Sequence, residues 1–127
     1  MNTIQNEAQV QAIETMEALI GQDDWAGATQ FFTPDVTYKV AALEAVRGVA
    51  GIREYMQWQN KLVHWQGHTI HLKMNANDIV VVEVDSHFLR LADGTLFTLP
   101  CTDIYRMQGL KISDWRVYAD ISLFYAK

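Results

Sequence analysis

The feature that most limits the possible folds of this chain is a series of strand-like runs in its last quarter, separated by two tight turns. Asp93-Gly94 precedes the run T-L-F-T-L-P-C-T-D-I-Y-R-M, and Gln108-Gly109 precedes the run L-K-I-S-D-W-R-V-Y-A-D. Asp-Gly between such runs is typical of a β-hairpin, because glycine adopts positive φ at little cost. The C-terminal half therefore predicts consecutive antiparallel strands.

The N-terminal half has helical periodicity instead. Val10, Ile13 and Met16 recur at a spacing that gives a helix one buried face. Helices followed by long antiparallel strands predict an α+β fold, in which one curved sheet wraps around three N-terminal helices. The expected helices cover residues 8–20, 25–32 and 49–63, and the expected strands cover residues 36–40, 65–74 and 79–91, with two more strands after them.

Size and composition favour a single domain over residues 1–127, since half of the residues are hydrophobic. A net charge of −5, with ten scattered basic residues, argues against nucleic acid as a partner.

No apolar run approaches the roughly 20 residues of a membrane helix, and the N-terminus has no signal-peptide pattern. One cysteine, Cys101, allows no internal disulfide and no Cys-x-x-Cys zinc site. We expect a cytoplasmic protein without membrane contact.

A polar stripe in the third expected strand, residues 79–91, is the first candidate for chemistry. Glu83, Asp85 and His87 share one face of this strand, while valines occupy the other, because strand side chains alternate. If the stripe lines the interior of the sheet, it forms an acid/base cluster with shifted pKa values. If the valines face the core, the stripe is an outer surface. Both alternatives are open at this stage.

The second candidate is the carboxylate at the end of the last strand. Asp120 follows Trp115 and Tyr118, and an aspartate among aromatic rings can have a raised pKa and act as a general acid or base. The alternative is a cap or a salt bridge at the strand end. Tyr38 in the first strand is expected either to hydrogen-bond a substrate oxygen or only to pack.

Histidines are expected to assist rather than to bind metal. A metal site would need three ligands converging from separate strands, and no spacing in the sequence indicates one. A proton-carrying histidine in the pocket is the more plausible role, with His64 or His87 as the hydrogen-bonding partner of the carboxylate. We therefore expect no metal.

Two residues of the penultimate strand are expected to be inert. Asp103 lies in mid-strand and is expected to point outward, because an inward carboxylate is costly unless it is paired. Cys101 is expected to be buried and unreactive. Pro100 before it removes a ladder donor, so we expect a sheet edge or a bulge there.

Four local motifs, in this order, resemble those of the nuclear transport factor 2-like superfamily, a group with a cone-shaped, cystatin-like α+β fold. The resemblance covers nearly the whole chain. The last motif is similar to the G-x-I-x-x-W-R-x-Y-x-D ending of SnoaL-like members. The motifs are D-D-W-A-G-A leading into F-F-T-P-D-V-T-Y at residues 23–38, R-G-V-A-G-I at 47–52, N-D-I-V at 77–80 and G-L-K-I-S-D-W-R-V-Y-A-D at 109–120.

Limonene epoxide hydrolase, a member of this superfamily, resembles the chain at two positions. Its last-strand aspartate falls on Asp120 and its first-strand tyrosine falls on Tyr38. Val40 replaces its asparagine, and its strand arginine has no counterpart beside Asp85. The resemblance therefore does not extend to epoxide hydrolysis by an Asp-Arg-Asp arrangement.

The superfamily hosts both enzymes and non-enzymes, so two functions are expected as alternatives. The first is a cofactor-independent acid/base enzyme that acts on a small hydrophobic or polyketide-like molecule, as an isomerase, cyclase, dehydratase or epoxide hydrolase. The second is a non-catalytic module for ligand binding or protein association. The resemblance and the many aromatic residues further imply a homodimer that pairs through the outer face of the sheet.

Overall fold

The computed structural model describes residues 2–125, and within this range it contains three α-helices, seven strands and one short 3-10 helix. The helices are α1 (Glu7–Gly21), α2 (Trp25–Thr29) and α3 (Gly48–Gln59), with the 3-10 helix at Ile121–Phe124. The strands are β1 (Asn2–Ile4), β2 (Phe32–Val40), β3 (Val46–Arg47), β4 (Val63–Ala76), β5 (Ile79–Arg90), β6 (Leu96–Gln108) and β7 (Lys111–Ala119).

All seven strands belong to one sheet, in the order β1-β4-β5-β6-β7-β2-β3. The long strands β4 to β7 are antiparallel neighbours, whereas β1 pairs with β4 and β2 pairs with β7 in parallel. The sheet is curved and unclosed, and the helices pack within its concave side. The predicted α+β architecture with a curved sheet over three helices is confirmed.

Two predicted helices end earlier than expected, because sheet pairing competes for their last residues. α2 ends at Thr29 rather than at residue 32, since Phe32 already pairs with Ile112 of β7. α3 ends at Gln59 rather than at residue 63, since Val63 pairs with the end of β5. In both places tertiary pairing outweighs the local helical preference.

The turns follow the residues that permit positive φ. Asn77 and Asp78 join β4 to β5 with φ of 53° and 62°, the geometry of a two-residue type I′ hairpin turn. Gly94 and Gly109 occupy the next two turns with φ of 71° and 60°. The two turns that the sequence indicated are thus hairpin turns, and they fix the register of β5 to β7.

A buried amide network joins α1 to two of these turns. The side-chain amide of Gln9 donates to Oδ1 of Asp78 at 2.8 Å and to the carbonyl of Gly109 at 2.9 Å. The amide of Asn75 in turn donates to Oε1 of Gln9 at 3.0 Å. Because both amides are almost fully buried, these bonds hold the first turns of α1 against the β4–β5 and β6–β7 turns.

The hydrophobic core has two parts along the sheet. The larger lies under α1 and α3 and includes Met16, Ile52, Tyr105 and Trp115. The smaller, which we call the aromatic end, consists of Val63, Phe88, Leu99 and Phe124, with Phe97 packed against it. Phe88 lies at the far end of β5 from the Asn77-Asp78 turn, so the aromatic end closes the opposite end of the cone.

No helix among residues 2–125 is both long and apolar enough to cross a membrane.

Candidate active site

The two faces of β5 decide which carboxylates can enter the cone. Val80, Val84 and Ser86 are buried on the concave side. Asp85 and His87 point to the opposite, outer face, where they contact neighbouring strands: Asp85 Oδ2 lies 2.8 Å from Nε2 of His71, and the ring of His87 hydrogen-bonds the hydroxyls of Thr69 and Thr98.

The polar stripe of Glu83, Asp85 and His87 is therefore the outer surface, the second of the two alternatives that the sequence left open. The geometry of a pleated strand requires this, since the valines between these residues fill the core. Asp85 and His87 consequently do not contribute to the interior site.

Asp103 lies inside the cone, and the expectation that it points outward is wrong. It is directly opposite Val82 in the β5–β6 ladder, and opposed residues of an antiparallel pair project to the same face. Val82 belongs to the concave, valine-bearing face of β5. The register of the hairpin thus places the carboxylate of Asp103 in the interior.

The Asp103 carboxyl is paired, which makes its burial tolerable. Its Oδ1 accepts from the Sγ–H of Cys101 at 3.1 Å, and its Oδ2 lies 3.1 Å from the hydroxyl of Tyr105. The indole N–H of Trp115 has no hydrogen bond of good geometry, yet it is near enough to stabilise the carboxylate. Burial nevertheless dominates and raises the pKa of Asp103, while these donors and the charge of His68 oppose the rise.

A second inward carboxyl, Glu17, comes from α1. Its Oε1 lies 3.2 Å from the same Tyr105 hydroxyl. Burial, and next to it the charge of Asp103, raises the pKa of Glu17 to about 7, against the hydrogen bond from Tyr105 and the charge of Lys73. The interior therefore holds two carboxyls that retain protons more strongly than exposed ones do.

Tyr38 faces this pair from β2. It is 5% exposed, and its ring lies 4.7 Å from that of Trp115 and 5.6 Å from that of Tyr55, measured between centroids. Burial raises the pKa of Tyr38 well above 10, and the nearby hydroxyl of Tyr55 and carboxyl of Asp103 raise it further. Tyr38 thus has a neutral hydroxyl and packs among aromatic rings on the interior side of β2.

His68 is the histidine that faces the interior. It is opposite Ser86 in the β4–β5 ladder, on the concave side, and its pKa is lowered by burial against the opposing charge of Asp103. His64, the expected partner, is exposed, and its Nδ1 lies 2.7 Å from the side-chain amide nitrogen of Gln66. A bulge between Trp65 and His68 separates the two histidines in register.

Asp120 lies outside the cone. Its side chain is exposed and accepts from the backbone N–H of Ser122 at 3.0 Å, capping the 3-10 helix. The expectation of a raised pKa is wrong, because the hydrogen bonds from Ser122 lower the pKa of Asp120 below its usual value. Trp115 and Val117 point inward from β7. Because strand side chains alternate, Asp120 would point outward in continuation of this strand.

Cys101 is part of the interior site, and its surroundings favour the neutral thiol. Burial raises the pKa of its thiol, and the neighbouring Asp103 charge raises it further, so the thiolate is disfavoured. Pro100 pairs with Asp85 of β5, but pairing with β7 begins only at Cys101. The proline therefore lies where β6 pairs with β5 alone. This is a local edge of the sheet, one of the two settings expected for it.

Several inward-facing side chains of the sheet, Asp103 among them, keep part of their surface accessible, although protein surrounds them on most sides. Two depressions lie on the outside: one of about 470 Å³ between α2 and α3, and one of about 440 Å³ on the outer sheet face beside Asp85. The accessible inward residues are His68, Val82, Cys101, Asp103 and Val117.

No group of three or more metal-ligating side chains is arranged for an ion anywhere in residues 2–125.

Asp103, Glu17 and His68 form the part of the site that sequence reasoning missed. For Asp103 a signal was present: Leu89 pairs with Leu96 beside the Asp93-Gly94 turn, and counting outward along both strands from this pair reaches Val82 and Asp103. For Glu17 the signal was its helical spacing, since it stands four residues after Ile13 and seven after Val10, on the buried face of α1.

A sequence model of the SnoaL-like domain family matches residues 13–115 of this chain. The chain belongs to this family. Since the match spans the helices, the curved sheet and most of the interior cluster, the SnoaL-like assignment covers the part of the molecule in which the site lies. Comparison with curated proteins gives no match.

Solved structures with a nuclear transport factor 2-like fold resemble this SnoaL-like protein over almost its whole length. An NTF2-like protein of unknown function from Burkholderia pseudomallei K96243 is 13% identical, with a TM-score of 0.82 over 94% of this chain and 98% of that one. A protein assigned as a polyketide cyclase from Xanthomonas campestris pv. campestris is 15% identical, with a TM-score of 0.75 over 93% and 94%. TerC, co-crystallised with polyporic acid, is 21% identical, with a TM-score of 0.77 over 92% and 95%.

Proposed function

We propose that this SnoaL-like protein is a cofactor-independent acid/base enzyme that acts on a small hydrophobic, polyketide-like molecule bound inside the cone. The observation that carries the proposal is the buried Asp103 carboxyl, with its raised pKa and its hydrogen bonds to Tyr105 and Cys101. We assign the acid/base role to Asp103 rather than to Asp120, because an exposed capping carboxylate has neither the surroundings nor the pKa for it.

The surroundings of Asp103 suit an apolar molecule that carries oxygen atoms. Aromatic rings line the interior, and two of their polar groups are buried without a hydrogen-bond partner of good geometry in the described chain: the hydroxyl of Tyr55 and the indole N–H of Trp115. Buried polar groups are normally satisfied. A bound molecule that displaces their present neighbours would satisfy them with a hydroxyl or carbonyl and so orient its carbon skeleton.

The chemistry available is proton transfer. Asp103 in its acid form would protonate a substrate oxygen, and its carboxylate form would remove a proton from carbon or oxygen. Tyr38, neutral beside it, would donate a hydrogen bond to a developing oxyanion. Isomerisation, aldol-type cyclisation and dehydration need only these groups, and they agree with relatives that are described as polyketide cyclases.

A thermal-shift screen of polycyclic and polyphenolic compounds tests the binding part of this proposal. Polyporic acid belongs in the panel, because the structurally similar TerC was crystallised with it. We expect hits to raise the Tm of the protein and to lose affinity in Trp115→Phe, which keeps an aromatic ring but removes the N–H. Equal binding by Trp115→Phe would show that these compounds do not occupy the cone.

The second candidate is a non-catalytic ligand-binding or association module, favoured by one observation. Phe88, Phe97 and Phe124 pack against one another at 5.1 to 6.3 Å between centroids, so one end of the cone is filled with aromatic side chains. A protein that binds compounds of the panel with unchanged affinity in Asp103→Asn, and converts none of them, would fit this function better.

A further inference from the structure

Tyr105 connects the two buried carboxyls of the interior. Its hydroxyl oxygen lies 3.1 Å from Oδ2 of Asp103 and 3.2 Å from Oε1 of Glu17, and its side chain is fully buried. A tyrosine hydroxyl carries one hydrogen, so it can donate fully to only one of the two oxygens. A full hydrogen bond to the other oxygen forms only if that carboxyl is an acid that donates to Tyr105.

We propose that Glu17 and Asp103 hold one proton in common through the Tyr105 hydroxyl, and that Glu17 is the reservoir that re-protonates Asp103 during turnover. The proton-sharing part rests on the three-atom geometry alone. The reservoir part rests on the proposed function, since it presupposes that Asp103 gives its proton to a substrate.

The proton movements balance. In the resting pair Glu17 carries the one carboxyl proton and donates it to the Tyr105 oxygen, while the Tyr105 hydroxyl donates to Oδ2 of Asp103. When the Tyr105 hydrogen moves to Oδ2 and the Glu17 hydrogen moves to the Tyr105 oxygen, Asp103 becomes the acid and gives this proton to a substrate oxygen, which leaves Tyr105 neutral and both carboxyls ionised. Water at the partly accessible Glu17 side chain supplies the next proton.

The charges around Glu17 suit a group that is alternately ionised and neutral. Lys73 of β4 favours its ionised form, while Glu14 of α1 and Asp103 of β6 favour its protonated form. Asp103 faces Tyr38 of β2 and His68 of β4 in addition to its own-strand neighbours Cys101 and Tyr105. Burial lowers the pKa of His68, so its imidazole competes less strongly for the proton of the pair than an exposed histidine would.

A carboxyl NMR titration of the wild-type protein, with ¹³C-labelled Asp and Glu, tests the shared proton without a substrate. We expect the Glu17 and Asp103 resonances to move together in two steps, with one proton retained by the pair near pH 7. In Asp103→Asn the Glu17 resonance should titrate in one step at lower pH. The exposed Glu7→Gln, on the same helix, is the matched control and should leave both steps in place.

Independent titration of the two resonances, with both groups fully ionised near pH 7, would overturn the shared proton and make Tyr105 a donor divided between two carboxylates. The reservoir role has a separate readout once a substrate is known: Glu17→Gln should lower kcat about tenfold or more and leave KM nearly unchanged. Two coupled steps together with full activity in Asp103→Asn would leave the shared proton standing and remove the proposed function.

Discussion

Asp103 lies directly opposite Val82 in the β5–β6 ladder, and this pairing puts its carboxylate into the interior of the cone. Burial of a charge there is costly, so the protonated form is favoured and the pKa of Asp103 rises. Its hydrogen bonds to Cys101 and Tyr105 hold it in one orientation. A weakly acidic, fixed carboxyl is the group that proton transfer at neutral pH requires.

The raised pKa of Glu17 predicts a pH-dependent stability. Between its usual value of 4.5 and about 7, the folded state binds more protons than the unfolded state, so the free energy of unfolding falls as pH rises through this window. We expect Glu17→Gln to remove this loss and to stabilise the protein by roughly 1–3 kcal/mol at pH 8, with little effect at pH 4. Urea unfolding at both pH values measures it.

Glu7→Gln is the control for this prediction, because Glu7 is exposed on the same helix. It should change stability by less than about 0.5 kcal/mol at either pH. An equal effect of Glu17→Gln at pH 4 and pH 8 would mean that Glu17 ionises normally in the folded state.

The amide network between α1 and the β4–β5 and β6–β7 turns leads us to predict a large effect of a single substitution. Gln9→Ala removes three hydrogen bonds and leaves the Asn75 amide and the Gly109 carbonyl without this partner. We expect a loss of about 2–4 kcal/mol in the free energy of unfolding. Gln11→Ala, exposed on the same helix, should cost less than about 0.5 kcal/mol. Similar losses in the two variants would contradict a specific role of the network.

The apolar outer face of the sheet leads us to predict that two copies of the chain associate. Met74, Val81 and Ile104 are opposed in one row across β4, β5 and β6, and they point away from the core. Tyr118, 54% exposed, lies on the same face. We propose that two copies of the chain pair through this patch, because apolar surface of this kind commonly marks an interface.

Light scattering at micromolar concentration checks the association. We expect a mass near twice the 14.5 kDa of one chain, and a monomer in Ile104→Lys, which places a charge in the row. Gln11→Lys, on the exposed face of α1, should remain a dimer. A wild-type monomer at these concentrations would exclude the pairing.

Much of the fold could be predicted from the sequence because its signals are local. The Asp93-Gly94 and Gln108-Gly109 turns define the strands, and the spacing of Val10 and Met16 defines α1. The ends of α2 and α3 could not be predicted in this way, since they depend on which strand captures Phe32 and Val63.

The site was less accessible to sequence reasoning, because facing depends on register and packing. Asp120 was the most conspicuous carboxylate in the sequence, but the chain turns into a 3-10 helix there and the residue becomes its cap. To predict that Asp103 faces inward, the hairpin register had to be followed from Leu89 and Leu96. The helical spacing of Glu17 from Val10 and Ile13 indicates its buried face, but its contact with Tyr105 depends on the position of α1 on the sheet.

The most direct test of the central claim compares kcat of Asp103→Asn and Asp120→Asn on whichever compound of the ligand panel the wild-type protein converts. The two substitutions are chemically identical and nearly isosteric, and they differ only in whether the carboxyl lies inside the cone. We expect a loss of about 10²–10⁴-fold in Asp103→Asn and a change of less than about threefold in Asp120→Asn. Full activity in Asp103→Asn, or a loss confined to Asp120→Asn, would contradict the assignment of acid/base chemistry to the interior carboxyl.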